Sequence, residues 1–112
     1  MKIEAESLDG GILKINLAGR MDVQGAQEID LKFTGYTAKQ RAVIVDMSAV
    51  DFLASIGIRT LLLSAKAVSS RGGKMVVLNP DANVTKVLEM AGIDTLIPIC
   101  RSLDEARTAV SA

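Results

Sequence analysis

The sequence predicts an α/β fold, a small mixed, largely parallel β-sheet covered by helices, in the order β-β-α-β-α-β-α-β-α. Three observations predict it. Short apolar runs alternate with stretches whose apolar residues recur at spacings of three and four, so crossovers and a largely parallel sheet are required. Ala42-Val43-Ile44-Val45 is apolar almost without alternation, as in a strand covered on both faces. Two alternating segments at the N-terminus flank Asp9-Gly10-Gly11, a turn signal that adds an antiparallel edge. With 112 residues and 49% hydrophobic composition, residues 1–112 suit one domain with its own core.

The first strand is read from the alternation of Ile3 to Ser7, and the second from Ile12 to Leu17, with Ala18 to Asp22 ending it. Ala26, Ile29 and Phe33 then carry helical spacing through about Tyr36, starting between Asp22 and Gly25. After polar Thr37 to Arg41 comes the Ala42–Val45 strand, closed by Asp46. Met47 to Ala54 follows neither period and is expected to cross the end of the sheet as a loop, where sites gather in open α/β sheets. From Ser55 the helical period returns: Ile58, Leu61, Leu62, Ala65 and Val68 form one stripe, with Arg59, Lys66 and Ser70 facing water.

Arg71-Gly72-Gly73 stops that helix, and Lys74 to Leu78 is the next strand. Asn79-Pro80-Asp81 turns the chain into a helix whose face carries Val84, Val87, Leu88 and Ala91, ended by Gly92. Ile93 to Ile99 reads as a short strand weakened by Pro98 and therefore placed at an edge. Ser102 caps the last helix, through Val110, with Glu105 completing a capping box.

Ser55 is expected at the N-cap of the central helix, where its hydroxyl has two uses. It can accept from a free backbone N–H of the first turn, worth roughly 1 kcal/mol. The same geometry, beside Gly57, exposes it to a docking enzyme, and a phosphate placed there would meet the positive end of the helix dipole.

Composition excludes much else. Thirteen basic and thirteen acidic residues cancel, and only three aromatics are present, so there is no footprint for nucleic acid. The chain has no histidine and one cysteine, which rules out Ser-His-Asp and Cys-His machinery, an internal disulfide and the usual zinc sites. Leu53-Ala54-Ser55-Ile56-Gly57 superficially matches a nucleophile elbow but lacks the first glycine and a base. No phosphate-binding glycine motif is present, and neither a cofactor nor a metal is expected. Met1-Lys2-Ile3-Glu4 enters a charged alternating segment, and no apolar run approaches the length of a membrane span, so a cytoplasmic location is expected.

Four pieces in order carry a resemblance: Leu17-Ala18-Gly19-Arg20-Met21-Asp22, Val43-Ile44-Val45-Asp46-Met47-Ser48, Val50 through Ile58 around Ser55, and Gly72-Gly73-Lys74 before a strand. Together they resemble the STAS domain, specifically the stand-alone anti-sigma factor antagonists, over nearly the whole chain. The resemblance implies a partner switch. The unphosphorylated domain would bind an anti-sigma factor that is also a serine kinase, releasing a sigma factor. Phosphorylation of Ser55 would end binding, and a metal-dependent serine phosphatase would restore it. Where that family commonly has Asp-Ser-[Ser/Thr]-Gly, this chain has Ala54 for the aspartate and Ile56 for the second hydroxyl residue.

The expected partner-binding set is Asp22, Asp51, Phe52, Ala54, Ser55, Ile56, Gly57 and Arg59. Asp22 matches the acidic position of the family's Gly-[Glu/Arg]-[Leu/Met]-Asp signature and is alternatively a helix cap; Phe52 is either an exposed contact or core. Arg59 could meet a partner, a phosphate or only water. Cys100 reads as a small buried hydrophobe, and Met21, Met47, Met75 and Met90 as core or adaptable rim. The chain is expected to be a monomer or a weak homodimer, without direct contact to nucleic acid or membrane. Three alternatives stand beside the switch: a constitutive STAS subunit of a transporter or stress complex, a small-ligand or nucleotide-binding domain, and, least compatible with the missing histidines, an enzyme.

Overall fold

Gly10 and Gly11 take φ of 83° and 75°, a backbone open to glycine, and so reverse the chain between β1 (Lys2–Leu8) and β2 (Ile12–Met21). The two strands pair antiparallel, with Ala5 opposite Ile15. The computed structural model describes residues 1–111 and continues with α1 (Val23–Thr37), β3 (Ala42–Leu53), α2 (Ser55–Ser70), β4 (Lys74–Leu78), α3 (Ala82–Met90), a 3-10 turn (Ile93–Thr95), β5 (Ile99–Cys100) and α4 (Leu103–Ser111). The five strands lie in the order β1-β2-β3-β4-β5, every pair after the hairpin being parallel.

Helices cover the two sheet faces unequally. Ala26, Ile29 and Phe33 of α1, Leu61 and Val68 of α2, and Val84 and Leu88 of α3 bury one face around Leu13, Ile15, Leu17, Val43, Val45, Met47 and Val77. The opposite face is covered by α4, whose Ala106 and Val110 meet Ile12, Ile44, Val76, Leu78 and Cys100. Cys100 is thus a small buried core residue, as read. The end of α1 is tied to the end of α2: Arg71 donates to the carbonyls of Thr37 (2.5 Å), the last residue of α1, and of Gln40 (2.9 Å) in the loop after it.

Three expectations are corrected. First, β3 does not end at Asp46 but runs to Leu53, and β2 runs to Met21. Beyond the Asp46↔Leu78 pair β4 drops out, and β3 continues on β2 alone, through Ala18↔Ala49, Gly19↔Val50, Arg20↔Phe52 and Met21↔Leu53. The register shifts between Asn16 and Ala18 and between Gly19 and Arg20, and such bulges erase the period of two that a strand otherwise shows. Second, Ile93–Ile99 is not a strand; β5 is only Ile99–Cys100, at the predicted edge. Pro98 has no N–H to offer, and its carbonyl accepts from Val77 instead. Third, the expected stripe of α2 does pack on the core but is not its most buried line: Leu61 and Val68 are buried together with Gly57, Thr60 and Ser64, while Ile58, Leu62 and Ala65 are half-buried. The Thr60 hydroxyl donates to the Ile56 carbonyl (3.2 Å) and so satisfies itself within the helix.

Candidate protein-interaction site

The site is built where β2 and β3 end side by side. Ala54 donates its N–H to the Met21 carbonyl (3.0 Å), which sets the starts of α1 and α2 next to one another. Both helices come down close to the strand ends, and glycine allows it. A Cβ on Gly57 would stand 2.7 Å from Leu53 Cδ1 and 2.9 Å from Met21 Cγ, and one on Gly25 would run into the Arg20 carbonyl oxygen.

Asp22 caps α1, its carboxylate accepting from the Gly25 N–H (2.8 Å). Its second oxygen accepts from Nε of Arg20 (3.2 Å), whose guanidinium lies over the Phe52 ring, 4.0 Å from the centroid. The Gly25 N–H is the main cause that holds the Asp22 carboxyl below the ordinary carboxylate range; desolvation opposes it, and Arg20 adds to the lowering. Phe52 is 38% exposed, which answers the core-or-surface question in favour of the surface.

The N-cap of α2 is Ala54, not Ser55, and no side chain caps that end. Ala54 has extended backbone (φ −97°, ψ 169°), and Ser55 is the first helical residue, exposed to solvent. Alanine cannot cap, so the register that the serine suggested came from the wrong residue of the pair. Ser102 is a true cap by contrast, accepting from the Glu105 N–H (3.1 Å). The Glu105 carboxylate reaches back one residue further than a capping box requires, to the Arg101 N–H (3.1 Å).

Around Ser55, Asp51 and Arg59 are exposed and Ala54 and Ile56 half-buried. Gly57 is buried, so of the expected set it supports the surface from beneath and offers no contact. Two shallow depressions flank the serine. One, about 360 Å³, lies between α1 and α2 and is lined by Gln27, Asp30, Ile56, Arg59 and Leu63. The other, about 310 Å³, lies between β3 and α3, lined by Asp51, Phe52, Lys86, Val87 and Met90. Met90 is 80% exposed. Sequence reasoning left Met90 undecided between core and rim, although it falls off the Val84, Val87, Leu88 stripe. It also did not single out Arg20, which stands near the end of β2, two residues before the Asp22 cap. No group of acidic, cysteine or histidine side chains among the described residues could hold a metal ion, and none of their helices is long and apolar enough to cross a membrane.

This arrangement is a surface, with an exposed hydroxyl, an aromatic, and charges of both signs. The STAS domain model matches residues 2–106. The chain belongs to the STAS domain family. Over 110 residues this STAS domain is 26% identical to BtrV of Bordetella bronchiseptica, described as an anti-sigma factor antagonist, spanning 97% of this chain and 94% of that protein. Its fold matches an anti-sigma factor antagonist from Mycobacterium paratuberculosis with a TM-score of 0.89, at 24% identity, over 99% of this chain and 94% of the other. The anti-sigma factor antagonist SpoIIAA in its unphosphorylated form matches with a TM-score of 0.79, at 20% identity, over 96% and 95% of the two chains. SpoIIAA has been solved in a phosphorylated form as well.

Proposed function

We propose that this STAS domain is an anti-sigma factor antagonist that switches partners through Ser55. The relatives and structural neighbours named above are anti-sigma factor antagonists, and one of them has been solved in phosphorylated and unphosphorylated forms. The observation that carries the reading to this chain is Ser55 itself: exposed at the first position of α2, with the capping position beside it held by Ala54.

Unmodified, the surface made by Asp22, Asp51, Phe52, Ala54, Ser55, Ile56 and Arg59 binds an anti-sigma factor in the cytoplasm and frees a sigma factor. The anti-sigma factor, acting as a kinase, transfers the γ-phosphoryl group of ATP to the Ser55 oxygen and releases ADP. A serine phosphatase hydrolyses the ester and returns the hydroxyl. The phosphate adds about −1.5 to −2 charges, which a packed interface would have to desolvate. A difference of a few kcal/mol decides the partner.

The test is peptide mapping of the protein recovered from its native cells, beside a pull-down with wild type, Ser55→Asp and Ser55→Ala. Phosphate on Ser55, with a kinase-like partner kept by the alanine form and lost by the aspartate form, is the expected result. An unmodified Ser55 and one partner shared by both variants would instead make this a constitutive subunit.

A further inference from the structure

We infer that Arg59 is the intramolecular receptor for the phosphate on Ser55, and that this pairing withdraws Arg59 from the partner surface. The inference rests on the proposed modification of Ser55. Both residues are exposed on α2, four positions apart, and side chains so spaced are neighbours on one helix face, about 5–6 Å between Cβ atoms. The anionic group lies N-terminal to the cation, the better orientation for such a pair. A guanidinium can also give a phosphate two parallel N–H bonds.

Among the cations near the serine, Arg59 is the one on its own helix; Lys86 stands on α3, across the depression beside Asp51 and Phe52. Arg20 already donates to Asp22 and covers Phe52. The ion pairs among the described residues engage the Met1 amino group, Lys14 and Arg20, and leave Arg59 out. Asp30 faces it across the depression between α1 and α2 without closing an ion pair. The side chains of Ala54 and Ile56, on either side of Ser55, carry no polar group that could compete with Arg59, so besides the free N–H groups of the first turn Arg59 is the donor on this helix face.

One modification then acts twice. Before it, Arg59 stands at the rim of the depression beside Ile56 and Leu63, free to take a carboxylate of the anti-sigma factor. Afterwards the interface faces a new anion and has lost that cation to it.

The test uses the full chain with phosphoserine inserted at position 55 during translation, titrated by ³¹P NMR. The second phosphate pKa lies near 6 in the absence of neighbours. It is expected to be lower in the wild-type background than in Arg59→Gln by about 0.3 pH unit, from the usual strength of such helix pairs. Arg59→Lys should recover part of the difference, and Arg20→Gln should change nothing. Equal values in the wild-type and Arg59→Gln backgrounds overturn the inference, as does a rise confined to Arg20→Gln. Because the phosphate is installed directly, the result is independent of whether a kinase modifies Ser55 in the cell. An unmodified native Ser55 would sink the partner switch and leave this measurement standing.

Discussion

Arg20 and Phe52 are paired across β2 and β3, and the guanidinium lies on the ring face 4.0 Å from its centroid while Asp22 holds the guanidinium from behind. An exposed aromatic ring clamped in this way is presented at little entropic cost, the condition for an interface anchor. With the anti-sigma factor recovered by the pull-down above, Phe52→Ala should weaken binding by roughly 30-fold or more, as for an interface hot spot. Arg20→Ala should have the smaller effect. A double-mutant cycle on urea unfolding should give a coupling of about 0.5–1 kcal/mol, the size of an exposed cation–π contact. Additive effects would mean that the stacking does not organise the surface.

The two glycines beneath the site should differ in what they tolerate. In Gly57→Ala the new methyl meets the ends of Leu53 and Met21, side chains that can yield, so a loss of about 1–3 kcal/mol is expected. In Gly25→Ala it meets the Arg20 carbonyl oxygen, which cannot yield without moving β2. Urea unfolding should therefore rank Gly25→Ala as clearly the worse of the two.

Capping separates the serines. Ser102→Ala removes the oxygen that accepts from Glu105 N–H and should cost roughly 1 kcal/mol. Ser55→Ala removes no cap and should stay within about 0.5 kcal/mol of wild type. Ala54→Asp places a capping oxygen where none stands and should add roughly 1 kcal/mol. Thermal unfolding of the three variants in one buffer tests all three statements.

Asp46 makes part of the stability depend on pH. Burial pushes its carboxyl up, but the Ser48 N–H and hydroxyl (2.9 and 2.7 Å) and Lys14 (3.3 Å) outweigh burial and hold it below the ordinary value of 3.8. A depressed folded-state pKa adds stability that is present above the unfolded value and is lost as pH falls through the folded one. Asp46→Asn should thus destabilise by roughly 1 kcal/mol at pH 7. In urea titrations the difference from wild type should shrink as pH drops below about 3.8, and a constant difference would contradict the assignment.

Local signals that depend on a few neighbouring residues were legible. Asp9-Gly10-Gly11 marked the hairpin, Asp22 and Ser102 marked helix starts, and Gly72-Gly73 marked the α2 stop, because turn and cap chemistry acts within four or five residues. The extension of β3 past Asp46 was not legible. It depends on β2, about thirty residues away, and its bulges remove the alternation by which a strand is recognised.

The sequence by itself determined the order of elements, the family resemblance and the choice of Ser55 as the residue to watch. Only the tertiary structure decided what surrounds that serine. Ala54 takes the cap because the Met21 carbonyl holds its N–H, Gly57 is buried because α2 rests on Met21 and Leu53, and Phe52 is exposed beneath Arg20 because the β2–β3 register sets them opposite. Each of these depends on a contact between β2 and the β3–α2 segment, about thirty residues apart along the chain. Periodicity and propensity describe a residue's own neighbourhood, whereas strand register and helix docking are set by packing the whole sheet.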